Sequence, residues 1–461
     1  MHRAGLREAL LAVVVAALVS ALFAAVADAP QLRGLETASF DLRMSLRGPR
    51  APGPEVALVL VDDRSLAALG RWPFSRQVFA EAVDRLTAAG ARVVVFDLLF
   101  SEPEQPVPAD VRSAARTAAA APGDALPPAL RAALDRLAAD DPDAALAGAL
   151  ARSGLALLAF AFVFEPAAPG ATVELPAGAA YGRFVPTPDE AVFPLQPASV
   201  IPPLARLSEA AAGLGHVTIA YDRDGAPRYE YLALPYDADF YPPLSVRAVA
   251  RYLGVPWGEV GLALGRGVSV GPLTIATDRA MRLLINYRGP RGTFPTFSFV
   301  DLMTGAVPAG ALKDRIVLVG AAATGINDTF RTPFGSSPLP GVERMANVID
   351  TMLHRDFIER PTLLVPAEIA AVLVLALAGG LAASLVPTRA ALPVGLAPAA
   401  LWAGAAQYAL TCGVWLDLVA PAASLIAAML AVLLFRYAVV DREGRRVRTA
   451  FRHYLAPALV N

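Results

Sequence analysis

Three carboxylates and one guanidinium group stand at telling places in this chain. Asp62 closes the apolar run Glu55–Val61, and Asp97 closes Arg92–Phe96. Asp328 lies a little beyond Arg315–Val319 and Gly320, and Arg76 falls between the first two runs. Short apolar, β-branched runs of this kind are the mark of buried strands. In open α/β sheets, ligands bind outside the carboxyl ends of the strands. Asp62, Asp97 and Asp328 are therefore expected to rim one pocket, with Arg76 opposite. The competing account is that the aspartates cap the helices and turns that follow the strands.

Other chemistry finds little support. Gly320-Ala-Ala-Ala-Thr-Gly325 has the glycine spacing of a phosphate loop but lacks the Lys-Ser/Thr that grips phosphate and magnesium. Asp222-Arg-Asp-Gly225 is too short for a calcium loop and reads as a turn. The four histidines are scattered, and no serine sits in a Gly-x-Ser-x-Gly elbow. No nucleophile stands with a base, so no catalytic residue, metal site or cofactor is expected. The single cysteine, Cys412, excludes an internal disulfide and a cysteine zinc site.

The elements that would position these residues read as an α/β domain. Glu55–Val61, Arg92–Phe96, Leu155–Phe164 and Arg315–Val319 read as strands, and Arg76–Ala89 as a helix ended by Gly90. Strand, helix and strand with unbroken apolar strands predict a mostly parallel sheet flanked by helices. Residues 101–143, rich in Pro, Ala and Asp, read as an insertion with a helix near Pro128–Leu137. His216–Tyr221 and Arg228–Leu234 read as a hairpin about Asp222–Gly225. Met281–Tyr287 reads as a strand, and Val342–His354 as a helix leading on to the chain's apolar end.

That apolar end changes the setting. The chain has 461 residues, 56% of them hydrophobic, and a mean hydropathy of +0.49. Four runs, 9–27, 362–387, 390–411 and 416–436, approach the ~20 residues a helix needs to span ~30 Å of hydrocarbon. They predict an all-α transmembrane part of one N-terminal and three C-terminal helices. Basic residues favour the cytoplasmic side. Arg3 and Arg7, Arg389, and Arg436 with Arg442, Arg445, Arg446, Arg448 and Arg452 form three groups. All three lie inside only if 30–361 and the short turn 412–417 lie outside. Residues 1–8 and 437–461 are then cytoplasmic. Ala27-Asp28-Ala29 offers a rival reading of the first run as a cleaved signal. Glu368 sits one turn into its run, where a carboxylate reaches the interface. A net charge of −1 gives no reason to expect nucleic acid as a partner.

Several ordered segments resemble the type 2 CHASE domain. They begin with Val61-Asp-Asp-Arg-Ser-Leu66, Leu69-Gly-Arg-Trp-Pro-Phe-Ser-Arg76, Ala88-Ala-Gly-Ala91 and Val95-Phe-Asp97. They continue with Asp222-Arg-Asp-Gly225, Asn286-Tyr-Arg-Gly-Pro290, Thr293-Phe-Pro295 and Leu312–Gly320. Asp328, Thr332-Pro-Phe334, Pro340-Gly-Val-Glu343 and Ala346-Asn347 complete the series. The resemblance spans roughly 35–353. It implies an extracytoplasmic sensory module of bacterial adenylate cyclases and histidine kinases, with three membrane helices after it. Phe451-Arg-His-Tyr-Leu-Ala-Pro457 is similar to the segment that precedes a cyclase catalytic domain, and no such domain follows.

The expectation is a multi-pass bacterial inner-membrane protein, working as a homodimer in the lipid bilayer. It would bind an extracytoplasmic ligand and pass the signal to a cyclase-type output absent from this chain. No enzymatic activity is expected of the chain itself. The alternative is an envelope scaffold that binds itself or periplasmic partners and takes no small molecule.

Overall fold

The structure, a computed structural model, describes the chain except residues 1, 27–28, 105–108, 121–126, 140, 166–172, 189, 327–328, 336–337, 437 and 439–461. Asp328, the Ala27-Asp28 part of the candidate cleavage site and the segment from Arg442 onward lie outside the described residues. The chain divides into two units: Pro49–Phe357, and Met1–Gly48 with Ile358–Asn461.

In chain order the main elements begin with helices α1 (His2–Ala25) and α2 (Pro30–Arg47). Then come β1 (Val56–Val61), α3 (Asp63–Leu69), α4 (Arg76–Ala88), β2 (Val93–Asp97), α5 (Pro142–Ser153) and β3 (Ala156–Val163). They continue through β4 (Ser199–Ile201), β5 (Gly213–His216), α6 (Leu244–Tyr252), β6 (Thr296–Ser298), α7 (Phe299–Thr304), β7 (Ile316–Ala321) and α8 (Gly341–Leu353). The last helices are α9 (Val365–Leu385), α10 (Thr388–Thr411) and α11 (Val419–Phe435). The predicted insertion carries helices Ala109–Ala119 and Pro128–Ala139.

The larger unit is built on a seven-stranded sheet in the order β6-β1-β7-β2-β3, with β4 and β5 sharing the outer edge of β3. All pairings are parallel except that of β4. Its central strands are apolar throughout because both faces are covered. Side chains alternate: Ala57, Val59, Val61, Val94, Phe96, Val317 and Val319 enter the core shared with Phe79, Val83 and Leu86 of α4. The other face receives α8 and α6. Gly320 makes the approach of α8 possible, since a Cβ there would stand 2.7 Å from Cβ of Val342.

The hairpin expected about Asp222–Gly225 is replaced by a turn without a ladder. Gly225 adopts φ +78°, and the two arms meet at the Ala220–Tyr229 bridge and through the Asp222 N–H, which donates to the Ala226 carbonyl at 3.0 Å. Tyr229–Tyr231 pairs antiparallel with Arg282–Leu284 instead, while β5 joins the main sheet beside β3. Arg228, buried to 2% exposure, adds to the backbone bonds of the turn by taking Asp222 at 2.7 Å and Asp224 at 2.6 Å.

In the other unit, Val365–Leu385 and Ala390–Thr411 are long and apolar enough to cross a membrane; Val419–Phe435 is apolar but 17 residues long. Ala9–Ala25 with Pro30–Arg47 passes the same test only as a pair bent by 90°. Close packing follows from small residues: a Cβ on Gly379 would stand 2.5 Å from the Leu425 carbonyl oxygen. Glu368, one turn into its run, is held among protein groups. It is 7% exposed, accepts a hydrogen bond from Arg360 at 3.0 Å and caps the backbone N–H of Asp417 at 2.9 Å. Glu36 is also buried, and one of its oxygens accepts from the N–H groups of Leu418 and Val419 at 2.9 and 2.8 Å. Its other oxygen takes Arg43 at 2.8 Å.

Candidate functional site: a charged cavity at the sheet's carboxyl edge

The two-residue period of β2 decides what Asp97 meets. Val94 and Phe96 go to the α4 side, so Asp97 takes the opposite face. Its carboxylate lies 3.9 Å from where a Cβ on Gly341 would stand, at the first turn of α8. A cavity of about 440 Å3 opens here, at the carboxyl ends of β2 and β7. Arg76, Asp97 and Arg344 line it, with Trp72, Phe79, Phe100, Val217, Ile219, Phe330 and Met345 forming apolar wall.

The structure thus places Arg76 and Asp97 in one cavity, as the strand-end argument expects. Asp62 does not line it. Asp62 is the N-cap of α3, accepting hydrogen bonds from the Ser65 N–H at 2.9 Å and from the hydroxyls of Ser65 and Ser298 at 2.7 Å each. Burial works to raise its pKa, but those hydrogen bonds outweigh it and hold the carboxyl below the usual range. A carboxylate satisfied this fully has its place at the helix start.

Arg76 begins α4 and crosses the face of Phe100 at 4.6 Å. Its Nε stands 3.6 Å from Asp143, and Glu104 accepts its backbone N–H. Burial lowers the guanidinium's pKa against the pull of Asp143 and Glu104.

The most deeply buried charge in the wall is one that no sequence motif singled out. Arg344, on the second turn of α8, is 2% exposed. Its Nη1 donates to Glu230 at 2.6 Å, and Ser245 donates to the other Glu230 oxygen at 3.0 Å. Its Nε is buried without a hydrogen-bond partner. Burial opposes its charge, but Glu230, Tyr287 and Asp97 more than offset that and raise its pKa. His216 lies close enough for the Arg344 charge to be felt. Burial first, and Arg344 second, push its pKa down to about 3, so the ring is neutral at ordinary pH. Two signals were available in the sequence: Glu230 between two tyrosines in a strand, and Arg344 amid Val342 and Met345 in an apolar helix. Each is a charge on a face meant for burial.

Along α8, from its first turn onward, polar side chains fasten the segment 286–293. Glu343 accepts from the N–H groups of Gly292 and Thr293 at 2.8 and 3.1 Å. Asn347 accepts from Arg288 N–H at 2.7 Å, and Asp350, fully buried, pairs with the Arg288 guanidinium. Near the end of the helix, Glu55, Asp350 and His354 bring one ligand atom each within 4.8 Å of one another, the one such group of three among the described residues. Asp350 there is already committed to Arg288 and to the Gly53 N–H at 2.8 Å, which suits a structural clasp better than a cation.

The chain thus combines a mostly parallel α/β sheet, a charged cavity at its carboxyl edge and two helices long and apolar enough to cross a membrane. The model of the CHASE2 domain family matches residues 11–382, and the chain belongs to that family. CHASE2 domains are extracytoplasmic sensory domains. No curated protein and no solved structure matches the chain.

Proposed function

We propose that this chain is the sensory part of a bacterial transmembrane receptor. A small molecule enters the cavity at Arg76, Asp97 and Arg344, and the signal leaves through the membrane helices to a cytoplasmic, cyclase-type output. The observation that carries this reading is that one helix serves both ends. The first turns of α8 form cavity wall, its later turns clasp 286–293 and Gly53, and the chain then runs by way of residues 354–364 into α9. A ligand that binds two arrangements of α8 with different affinity shifts their populations, and that difference is all the signal needs. The arginine groups support four spans with residues 30–361 outside and residues 1–8 and 437–461 inside. A homodimer would let α8 and α9 of two copies change pairing.

The test fuses the whole chain to a cyclase catalytic domain and compares it with Ile219→Trp, which fills the cavity. Output of the variant fixed at one level while the parent responds to growth conditions supports the reading. Equal responses from both sink it, and a stoichiometric periplasmic partner on a chain with an empty cavity would put the scaffold role in its place.

A further inference from the structure

We infer that α2 is a membrane-surface helix, lying in the lipid–water interface with Leu35, Leu42 and Leu46 set into the bilayer. This goes beyond the receptor reading. It depends on no ligand, only on α9 and α10 crossing a membrane. The residue spacing of α2 gives it three faces. Glu36, Phe40, Arg43 and Met44 form the buried one. Gly34, Thr37, Asp41 and Ser45 form a polar strip, none of them buried. Leu35, Ala38, Leu42 and Leu46 recur every three or four residues, and the three leucines are 57%, 61% and 69% exposed. Leucines left out in one line mark a surface that something covers.

What covers it follows from where α2 sits. Its buried face grips the end of the bundle where α10 turns into α11. Glu36 accepts from the N–H groups of Leu418 and Val419, at the start of α11. Two turns on, Arg43 donates to the Leu416 carbonyl at 2.9 Å, and its own carbonyl accepts from Gln407, near the end of α10, at 3.1 Å. Glu36 and Arg43 are about 10 Å apart along the helix axis, yet both meet the same end of α10 and α11. The helix therefore crosses that end and does not run down the bundle, in keeping with the 90° bend between Ala9–Ala25 and Pro30–Arg47. Aromatic side chains gather at the same level. Trp402 donates to the Asp417 carbonyl at 3.0 Å, Trp415 packs on Phe40 at 4.5 Å, and Tyr408 is 72% exposed. Trp and Tyr collect where hydrocarbon meets water. A helix laid across a bundle at that depth has lipid beside its outward leucines. A second copy of the chain fits the stripe poorly, since three leucines fall far short of the ~20–30 residues a side of a stable protein interface.

The experiment reconstitutes the full chain, carrying Cys412→Ser, into phosphatidylcholine–phosphatidylglycerol vesicles. Single changes Leu35→Cys, Leu42→Cys, Leu46→Cys, Gly34→Cys and Thr37→Cys each receive a nitroxide label. All five lie off the buried face of α2, and a side chain at Gly34 would meet nothing within 4 Å. Relaxation is measured with oxygen, which concentrates in lipid, and with a nickel chelate, which stays in water. Labels at the three leucine positions should respond to oxygen over nickel, at a depth of roughly 5–10 Å in the headgroup–acyl boundary. Labels at Gly34 and Thr37 should show the reverse preference. Leucine-position labels that favour nickel overturn the inference, because water then covers the stripe. Labels hidden from both reagents overturn it too, because protein then covers it; spectra that sharpen on dilution with unlabelled chain would identify that protein as a second copy. A second measurement needs no change in α2. A phosphatidylcholine with a diazirine on its acyl chain, photolysed with the unaltered chain, should mark Leu35, Leu42 and Leu46 and spare Gly34 and Thr37. A segment 30–47 free of label overturns the inference. Neither readout uses the cavity or an output domain, so the receptor reading can fail without moving either.

Discussion

At the scale of single residues, His216 and Arg344 carry the sharpest consequences. A histidine whose folded-state pKa is about 3 against an ordinary 6.5 destabilises the fold as acid is added, because the unfolded chain takes up the proton first. The sign is that of a depressed pKa. The stability is whole above about pH 6.5 and drains away as pH falls towards 3, by roughly 1.4 kcal/mol per unit. His216→Phe, set among Phe160 and Phe162, should flatten the fall between pH 6.5 and 4.5 in urea melts of the whole chain; an unchanged acid limb would show the ring is not neutral as packed. Arg344 and Glu230 form a pair 3% and 2% exposed at their side chains. Arg344→Met alone strands a buried carboxylate and should cost about 3–5 kcal/mol, whereas adding Glu230→Met should recover most of it. Additive losses in that double-mutant cycle would argue against the pair.

At the scale of elements, what could be read in advance and what could not has a physical cause. The strands at Val56, Val93, Ala156 and Ile316 were legible because a parallel sheet buried on both faces requires unbroken apolar runs, and Gly90 marked the end of α4 by its φ of +79°. Half of the cavity was legible for the same reason, since strand ends point to it. Its other half hangs on α8, which comes back onto the sheet from more than 200 residues beyond β2, and no local pattern announces that Arg344 and Glu230 will meet across 114 positions. The turn at Asp222–Gly225 was legible, but the partner of Tyr229–Tyr231 was not, because strand pairing is settled by tertiary competition rather than by the turn. The close passage of α8 over β7 yields a prediction. Gly320→Val must force backbone or Val342 aside and should lower stability by about 1–3 kcal/mol; a chemical melt that does not move would mean α8 lies further from β7.

At the scale of the whole molecule, the arrangement of the two ends can be checked with the single cysteine. Cys412 is exposed and sits in the turn between α10 and α11. A membrane-impermeant maleimide should label it from outside intact spheroplasts; labelling only after lysis would reverse the proposed orientation. The salt links around that turn also bear on how the chain is made. Glu36, near the start, gives its carboxylate to the first amides of the last apolar helix, at Leu418 and Val419, and the same turn presents Trp415 to it at 3.3 Å. During synthesis some 380 residues separate the acceptor from its donors, so Glu36 can meet them only once Val419 has left the ribosome, and Arg43 is the partner within reach before then. A nascent chain stalled before Leu418 would expose that lack to any quality-control protease that reads unfinished membrane bundles.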